Sequence, residues 1–301
     1  MSELPRITIV TPSYNQGAYI EATLKSVLTQ AYPALEYIVI DGGSNDDTPH
    51  ILQRYTDQLA YWLSEADDGQ ADAINKGFAR STGQIMGWLN SDDVLLPGAL
   101  WQVARTFQAQ PQARLVTGLR QIIDADGRHE RYEMLWYPEH EVIRRAAFIA
   151  QETTFWQRSL WDAIGPLDAS YQFALDYEYW QRALAAGYTF TLIPAYLGGF
   201  RRHADAKTSQ ADALRTAELT RIYQHYGIAD DETAAHQQLK NILGPAWRHQ
   251  QRMLREFGER RSAQDAMRYV RYFKLLRSRA VGPALTQAHR LYNRVRGRPV
   301  Y

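Results

Sequence analysis

The sequence predicts an α/β fold: a mostly parallel central sheet flanked by helices, followed by a helical, basic C-terminal extension. Three observations carry that expectation. The first hundred residues alternate apolar strand-like runs with stretches of helical periodicity, the loops after three of those strands carry acids, and charge is divided unevenly between the two ends of the chain. Consecutive strand–helix units need crossovers, and crossovers give parallel pairing covered on both faces.

Arg6 to Thr11 (RITIVT) is β-rich and apolar enough for a buried strand, and Pro12, lacking an N–H, is expected to end its ladder. After the Asn15-Gln16-Gly17 turn, Ile20, Leu24, Val27 and Leu28 recur at helical spacing. Leu35 to Ile40 (LEYIVI) reads as a second strand, stopped by Asp41-Gly42-Gly43-Ser44-Asn45-Asp46. Thr48-Pro49 reads as an N-cap followed by proline at the first helical position, where its missing donor is harmless. Tyr61 to Ser64 is a short third strand, and a helix starting at Asp68 or Gln70 lines up Ala73, Ile74, Gly77 and Phe78. The fourth strand, Ile85 to Leu89, ends abruptly in Asn90-Ser91-Asp92-Asp93.

Such polar clusters also make ordinary turns. Right-handed crossovers, however, bring the loops at Asp41, Asp67-Asp68 and Asp92-Asp93 to one carboxyl edge of the sheet, where open α/β folds bind ligands. The last of these offers hard oxygen ligands to a cation. Further on, Thr153 to Trp156 reads as a strand, Asp176 to Ala186 as an amphipathic helix and Ala211 to Tyr226 as another.

Composition narrows the chemistry. With 301 residues, 45% of them apolar, the chain can bury a sizeable core. It has no cysteine, which excludes disulfides, thiolate metal sites and cysteine nucleophiles. Met1-Ser2-Glu3-Leu4-Pro5 lacks the basic-then-apolar pattern of a signal peptide, and no run reaches the ~18 apolar residues of a membrane span. A cytoplasmic location follows as an expectation, with peripheral attachment to the inner face of the membrane as its variant.

The segments TIVTPSYNQGAYIEATLKSVLTQAYPALEYIVIDGGSNDDT and ADDGQADAINKGFARSTGQIMGWLNSDD resemble an inverting, non-processive, bacterial-type family 2 glycosyltransferase of the GT-A fold. The resemblance is dense over 6–98, looser to about 208 and absent beyond. It implies a catalytic domain over 1–208, with a donor half (1–98) and an acceptor half (99–208), and an extension over 209–301. It also implies a nucleotide-sugar donor, with UDP the expected nucleotide, and a divalent metal, Mg²⁺ or Mn²⁺.

Residue by residue, the resemblance places Asp41 at the base, with Thr11 and Tyr14 walling it and Tyr14 stacking on its ring. Asp68, Asp72, Asn75 and Lys76 approach the ribose and diphosphate, although Asp68 is equally placed to cap its helix. Asn90-Ser91-Asp92 occupies the D-x-D motif. Asparagine keeps an oxygen but loses the charge, so Asp92 is the expected metal ligand, Asn90 faces the sugar or ribose, and Asp93 is the substitute. QETTFWQRSLWDAIGPLDASYQFALDYEYW resembles the acceptor segment, with Asp176 as the catalytic base, and Leu175 stands where an acid often precedes that base. Phe200-Arg201-Arg202-His203, with Lys207-Thr208 after it, resembles the closing motif, in which His203 reaches the metal and Arg201 meets the phosphates.

The expected reaction is transfer of one sugar, with inversion, to a hydroxyl of a growing surface glycan that is free or lipid-linked. No Q-x-x-R-W motif of processive synthases is present. The remaining alternatives are a non-catalytic nucleotide-sugar-binding protein, which would not need Asp176, and a nucleic-acid-binding protein using the basic tail. No nucleic acid is expected, because no recognition motif occurs. From Trp247 to Tyr301 the chain carries 14 Lys+Arg against 3 Asp+Glu, leaving 20 against 30 over 1–246. Arg268, Arg271, Lys274, Arg277 and Arg279 interleave with Met267, Val270, Tyr272, Phe273, Leu275 and Leu276. That pattern suits an anionic membrane surface, at about 1 kcal/mol per charge, and equally a helical hairpin packed on the catalytic domain.

Overall fold

The first apolar run forms β1 (Ile7–Ser13), buried at all seven positions. It carries on through Pro12, which pairs in register with Ile40. The Leu89 N–H donates to the Val10 carbonyl, so Val10 and, two residues on, Pro12 face the fourth strand, whose last registered pair with β1 is Val10 with Trp88. No ladder donor is needed there, so the proline is tolerated inside the strand. The structure is a computed structural model that describes residues 3–133, 140–204, 206–207 and 212–242.

Helix α1 (Ile20–Leu28) buries Ile20, Thr23, Leu24 and Val27, the i, i+3, i+4, i+7 stripe that its sequence spells out. After β2 (Leu35–Asp41), α2 (Thr48–Arg54) starts at Thr48 itself. The Asp46 carboxylate accepts the Thr48 N–H at 2.9 Å, and the Thr48 hydroxyl accepts the Gln16 N–H at 3.1 Å; the cap expected of Thr48 is thus made by a neighbouring acid. β3 (Tyr61–Ser64) leads to α3 (Gln70–Arg80), which lies so close to β1 that a Cβ on Gly77 would come 2.5 Å from Val10 Cγ1. Only glycine allows that approach. β4 (Ile85–Trp88) follows α3 and pairs with β1.

The rest of the sheet and its helices follow as β5 (Val94–Leu95), α4 (Ala99–Ala109), β6 (Leu115–Ile123), β7 (His129–Glu133), α5 (His140–Ile143), β8 (Thr154–Gln157), α6 (Arg158–Ile164), α7 (Leu175–Ala185) and β9 (Phe190–Arg201). The nine strands form one sheet in the order β3-β2-β1-β4-β8-β6-β9-β5, with β7 paired to β6. Pairing is parallel among β1 to β4 and mixed beyond β4, where β8 runs antiparallel to both β4 and β6 while β6 and β9 are parallel.

Helices cover both faces. One core joins Ile7, Ile9 and Val39 to Leu24, Leu100 and Val103. The other is aromatic: Trp88 and Trp180 stack at 5.7 Å with planes 12° apart, and Trp156 meets Trp88 edge-on at 5.5 Å. Buried ring pairs of that kind contribute about 0.5–1.5 kcal/mol each beyond the area they hide. Helix α8 (Asp212–His225) shares this second core through Leu219, Ile222 and Tyr223. Residues 232–242 are helical too, and Leu239 packs with Val142. The hydrophobic core therefore runs across position 208, where the extension was expected to begin. The basic segment 247–301, with its expected membrane contact, lies outside the described residues. Among the described residues no helix is long and apolar enough to cross a membrane.

Candidate active site

Between β1 and β4 the strand order reverses, and ligands of open α/β sheets sit in the crevice outside the carboxyl ends of such strands. That crevice opens into a cavity of about 1020 Å³, large enough for a dinucleotide-sized ligand. Loops after β1, β2, β3 and β4 reach it, and so do Glu152, Asp176 and Lys207 from farther along the chain.

The turn after β4 is held from two sides. On one, the Thr23 hydroxyl of α1 lies 2.8 Å from the Ser91 carbonyl and 2.7 Å from that of Asp93. On the other, at the end of β9, the Arg201 N–H donates to Asp93 Oδ1 at 2.9 Å and its Nε donates to the Asp92 carbonyl at 2.7 Å. The clamp gives the two adjacent acids different surroundings. Asp93 is 2% exposed, and burial, then the charges of Asp92 and Glu152, push its carboxyl well above the usual range. Asp92 keeps its side chain 23% exposed at the cavity, with Oδ2 3.2 Å from His203 Nε2. The His203 ring lies 4.4 Å from that of Tyr19.

Several expected residues lie elsewhere. Arg201 is 4% exposed and does not line the cavity: besides the clamp, its Nη1 donates to the carbonyls of Asp124 at 3.3 Å and Ala125 at 2.9 Å. It braces the acidic turn, whereas Arg120, Lys207 and Arg215 line the cavity, Lys207 reaching Gln70 Oε1 at 3.3 Å. Gln70 in turn donates to Asn90 Oδ1 at 2.8 Å. Thr11 is fully buried beneath the first loop, its hydroxyl 3.0 Å from the Tyr37 hydroxyl, while Ser13 and the 62%-exposed Tyr14 form the wall.

Asp41 is also fully buried. Its carboxylate accepts the Ser44 N–H at 2.9 Å, the Ser44 hydroxyl at 2.5 Å and the Ser64 hydroxyl at 2.6 Å, so this loop presents Gly42 to the cavity. Asp68 is exposed, with its N–H on Asp72, and Asp72 pairs with Lys76 at 2.9 Å along α3; none of the three lines the cavity. Asn75 is committed to the backbone of Leu167 through both ends of its amide. Asp67, one residue earlier than expected, does line the cavity, and burial raises its carboxyl pKa.

Asp176 stands in the first turn of α7, half-buried at the cavity wall. Burial outweighs the N–H that Tyr177 donates to its Oδ1 and pushes its carboxyl up to about 6. The approach to this turn is fixed from α8. Glu218, 6% exposed, accepts the N–H groups of Gln172 at 2.7 Å, Phe173 at 2.9 Å and Ala174 at 2.8 Å. One carboxylate thus satisfies three consecutive backbone donors of the bend that leads into α7, the last of them two residues from Asp176.

Glu218→Gln replaces one acceptor by a donor facing those N–H groups. The expected result is a kcat lower by about 10- to 100-fold, since a ~1 Å displacement of a reacting group can cost that much, with nucleotide binding changed less than about twofold. A lowered melting temperature with unchanged kcat would show Glu218 to be merely structural. Sequence reading missed Glu218, because its partners lie more than forty residues away and no local pattern marks them.

The profile described as Glycosyl transferase family 2 matches residues 8–163. An uncharacterized glycosyltransferase of Mycobacterium tuberculosis is 28% identical over 235 residues, covering 75% of this chain and 88% of the relative. The putative teichuronic acid biosynthesis glycosyltransferase TuaG of Bacillus subtilis is 40% identical over 92 residues, 30% of this chain and 36% of TuaG. Among solved structures, S. aureus TarS in complex with UDP-GlcNAc superposes with a TM-score of 0.60 at 17% identity, covering 79% of this chain and 71% of that one. The mannosyltransferase PcManGT of Pyrobaculum calidifontis, in complex with GDP-Man and Mn²⁺, gives 0.59 at 18% identity over 96% and 81% of the two chains. At such identities the likenesses speak for the fold, which is GT-A. With the profile spanning more than half of the chain and acids gathered where that fold binds its ligand, the chain belongs to glycosyl transferase family 2 and is a glycosyltransferase.

Proposed function

We propose that this enzyme moves one sugar, with inversion, from a UDP-sugar to a hydroxyl of a growing cell-surface glycan, with Asp176 as general base and a divalent cation at Asp92 and His203. The observation that carries the reading is that Asp92 and Asp176, far apart in sequence, line one cavity, where burial pushes the Asp176 carboxyl up to about 6. A base near that value is ionised at neutral pH and still takes up a proton readily. The TarS and TuaG likenesses support a nucleotide-sugar donor and a surface-polysaccharide acceptor.

The Asp92 carboxylate at the cavity suits Mn²⁺ or Mg²⁺, and the His203 imidazole nitrogen lies 3.2 Å from its Oδ2. Among the described residues no three acids or histidines form a metal cage. Magnesium-type sites often take one or two carboxylates and complete their shell with substrate phosphates and water, so two protein ligands fit this use. Bound there, the ion supplies charge neutralisation for the departing diphosphate. Lys207 adds a positive charge on the same wall, Arg201 and Thr23 keep Asp92 aimed at the cavity, and Asp176 removes the acceptor hydroxyl proton.

The test is a screen of UDP-glucose, UDP-N-acetylglucosamine and GDP-mannose with and without MnCl2, read by melting temperature and by release of nucleoside diphosphate. At a hundredfold excess over Kd, binding adds about 2.7 kcal/mol, or roughly 5–10 °C for a domain of this size. Binding without release would leave a non-catalytic binder. No shift with any donor would end the reading.

A further inference from the structure

Among the described residues, two adjacent side chains under the cavity, Gln151 and Glu152, each keep a buried oxygen without a donor. The 3-10 turn Gln151–Thr153, just before β8, brings Gln151 and Glu152 to the cavity lining, 8% and 2% exposed. The Gln151 side chain donates through Nε2 to the Trp88 carbonyl at 2.8 Å, which fixes the orientation of its amide. Its Oε1, and the Oε1 of Glu152, meet no hydrogen-bond partner among the described residues. A buried acceptor left unmade costs about 1–3 kcal/mol, and folded proteins leave few of them without a reason.

The surroundings keep Glu152 from relieving this by itself. Arg120 is the nearest cation, but its Nη1 stays 4.0 Å from Oε1, while its Nε and Nη2 are both held at 2.8 Å by Glu133. On β9, a Cβ at Gly198 would come 2.7 Å from Glu152 Cγ, so the strand backbone already lies against the stem of the side chain. Glu152 lines the same cavity as Asp92, Asp93 and the proposed base Asp176.

The missing partners must be hydrogen-bond donors. Phosphate oxygens are acceptors and would be repelled by a carboxylate, whereas each hydroxyl of a sugar ring can supply a hydrogen. We propose that Gln151 Oε1 and Glu152 Oε1 form a subsite that reads hydroxyl groups of the transferred sugar, in the cavity they share with Asp92 and Asp176. This assignment rests on the transferase reading above and adds residues that set donor specificity.

The experiment titrates wild type, Glu152→Ala and Glu152→Gln with UDP-glucose, UDP-N-acetylglucosamine, GDP-mannose, UDP and GDP, by calorimetry in MnCl2. For the sugar donor that wild type binds most tightly, Glu152→Ala is expected to lose about 10- to 100-fold in affinity, the range of a hydrogen bond to a charged group. UDP and GDP should bind within about twofold of wild type. Equal weakening of the donor and of its bare diphosphate would overturn the subsite, and so would no weakening at all. If the alanine variant does not fold, the near-isosteric Glu152→Gln is judged by the same ratio. Wild type that binds UDP or GDP but gains nothing from the sugar overturns the subsite alone; wild type that binds none of the five overturns the transferase reading and the subsite with it.

Discussion

Asp176→Asn is expected to lower turnover by about a thousandfold or more while leaving donor binding within a few fold of wild type. General-base assistance contributes about 10²–10⁴, and an amide cannot accept the acceptor's proton. Asparagine keeps an oxygen for the Tyr177 N–H, so the start of α7 should survive. The pH dependence follows from the same group. With its carboxyl at about 6, wild-type kcat/KM should fall tenfold per pH unit below that value, and the residual activity of the variant should lose this limb.

Stability should move the opposite way. The folded state binds the Asp176 proton more tightly than the unfolded chain, so this group favours folding at low pH, and that contribution is lost as pH rises from about 4 through about 6. Above pH 7 the ionised, half-buried carboxylate lowers stability by up to about 3 kcal/mol, the equivalent of a two-unit shift. Asp176→Asn should therefore melt higher than wild type at pH 8 and near wild type at pH 4. A variant that keeps its turnover and its acid limb would remove Asp176 from the chemistry.

How far these features could be read from sequence depends on the range of the forces that set them. The four parallel strands and their acid-bearing ends were legible because burial on both faces and local turn chemistry leave their mark within a few residues, as in Ile7–Ser13 and in Asn90 to Asp93. How each of two adjacent acids is placed was not legible. Asp67 lines the cavity and Asp68 does not, and Asp93, although it lines the cavity beside Asp92, is 2% exposed and accepts the N–H of Arg201, 108 positions away. Arg201 itself shows the difference: a basic residue in a phosphate-binding pattern is, in three dimensions, a brace among carbonyls. Pro12 inside β1 and the mixed pairing beyond β4 escaped for the same reason, since both depend on where a neighbouring strand stops.

That brace leads to a second large expected effect. Asp92→Ala should abolish the Mn²⁺-dependent part of donor binding and lower turnover by about 10²–10⁴, the equivalent of several kcal/mol of charge stabilisation at the leaving group. Asp93→Asn is the matched control. Burial already favours the neutral form of Asp93, and the asparagine oxygen can still accept the Arg201 N–H, so the clamp on the turn should hold. Its MnCl2 midpoint for turnover should stay within about threefold of wild type, because it keeps the Asp92 carboxylate and the His203 imidazole side by side. Isothermal titration of donor at fixed MnCl2, and of MnCl2 at fixed donor, separates the two positions. If Asp93→Asn lost the metal response and Asp92→Ala kept it, the cation would belong to the inner acid, and the exposed carboxylate beside His203 would have to be read as a contact to the sugar.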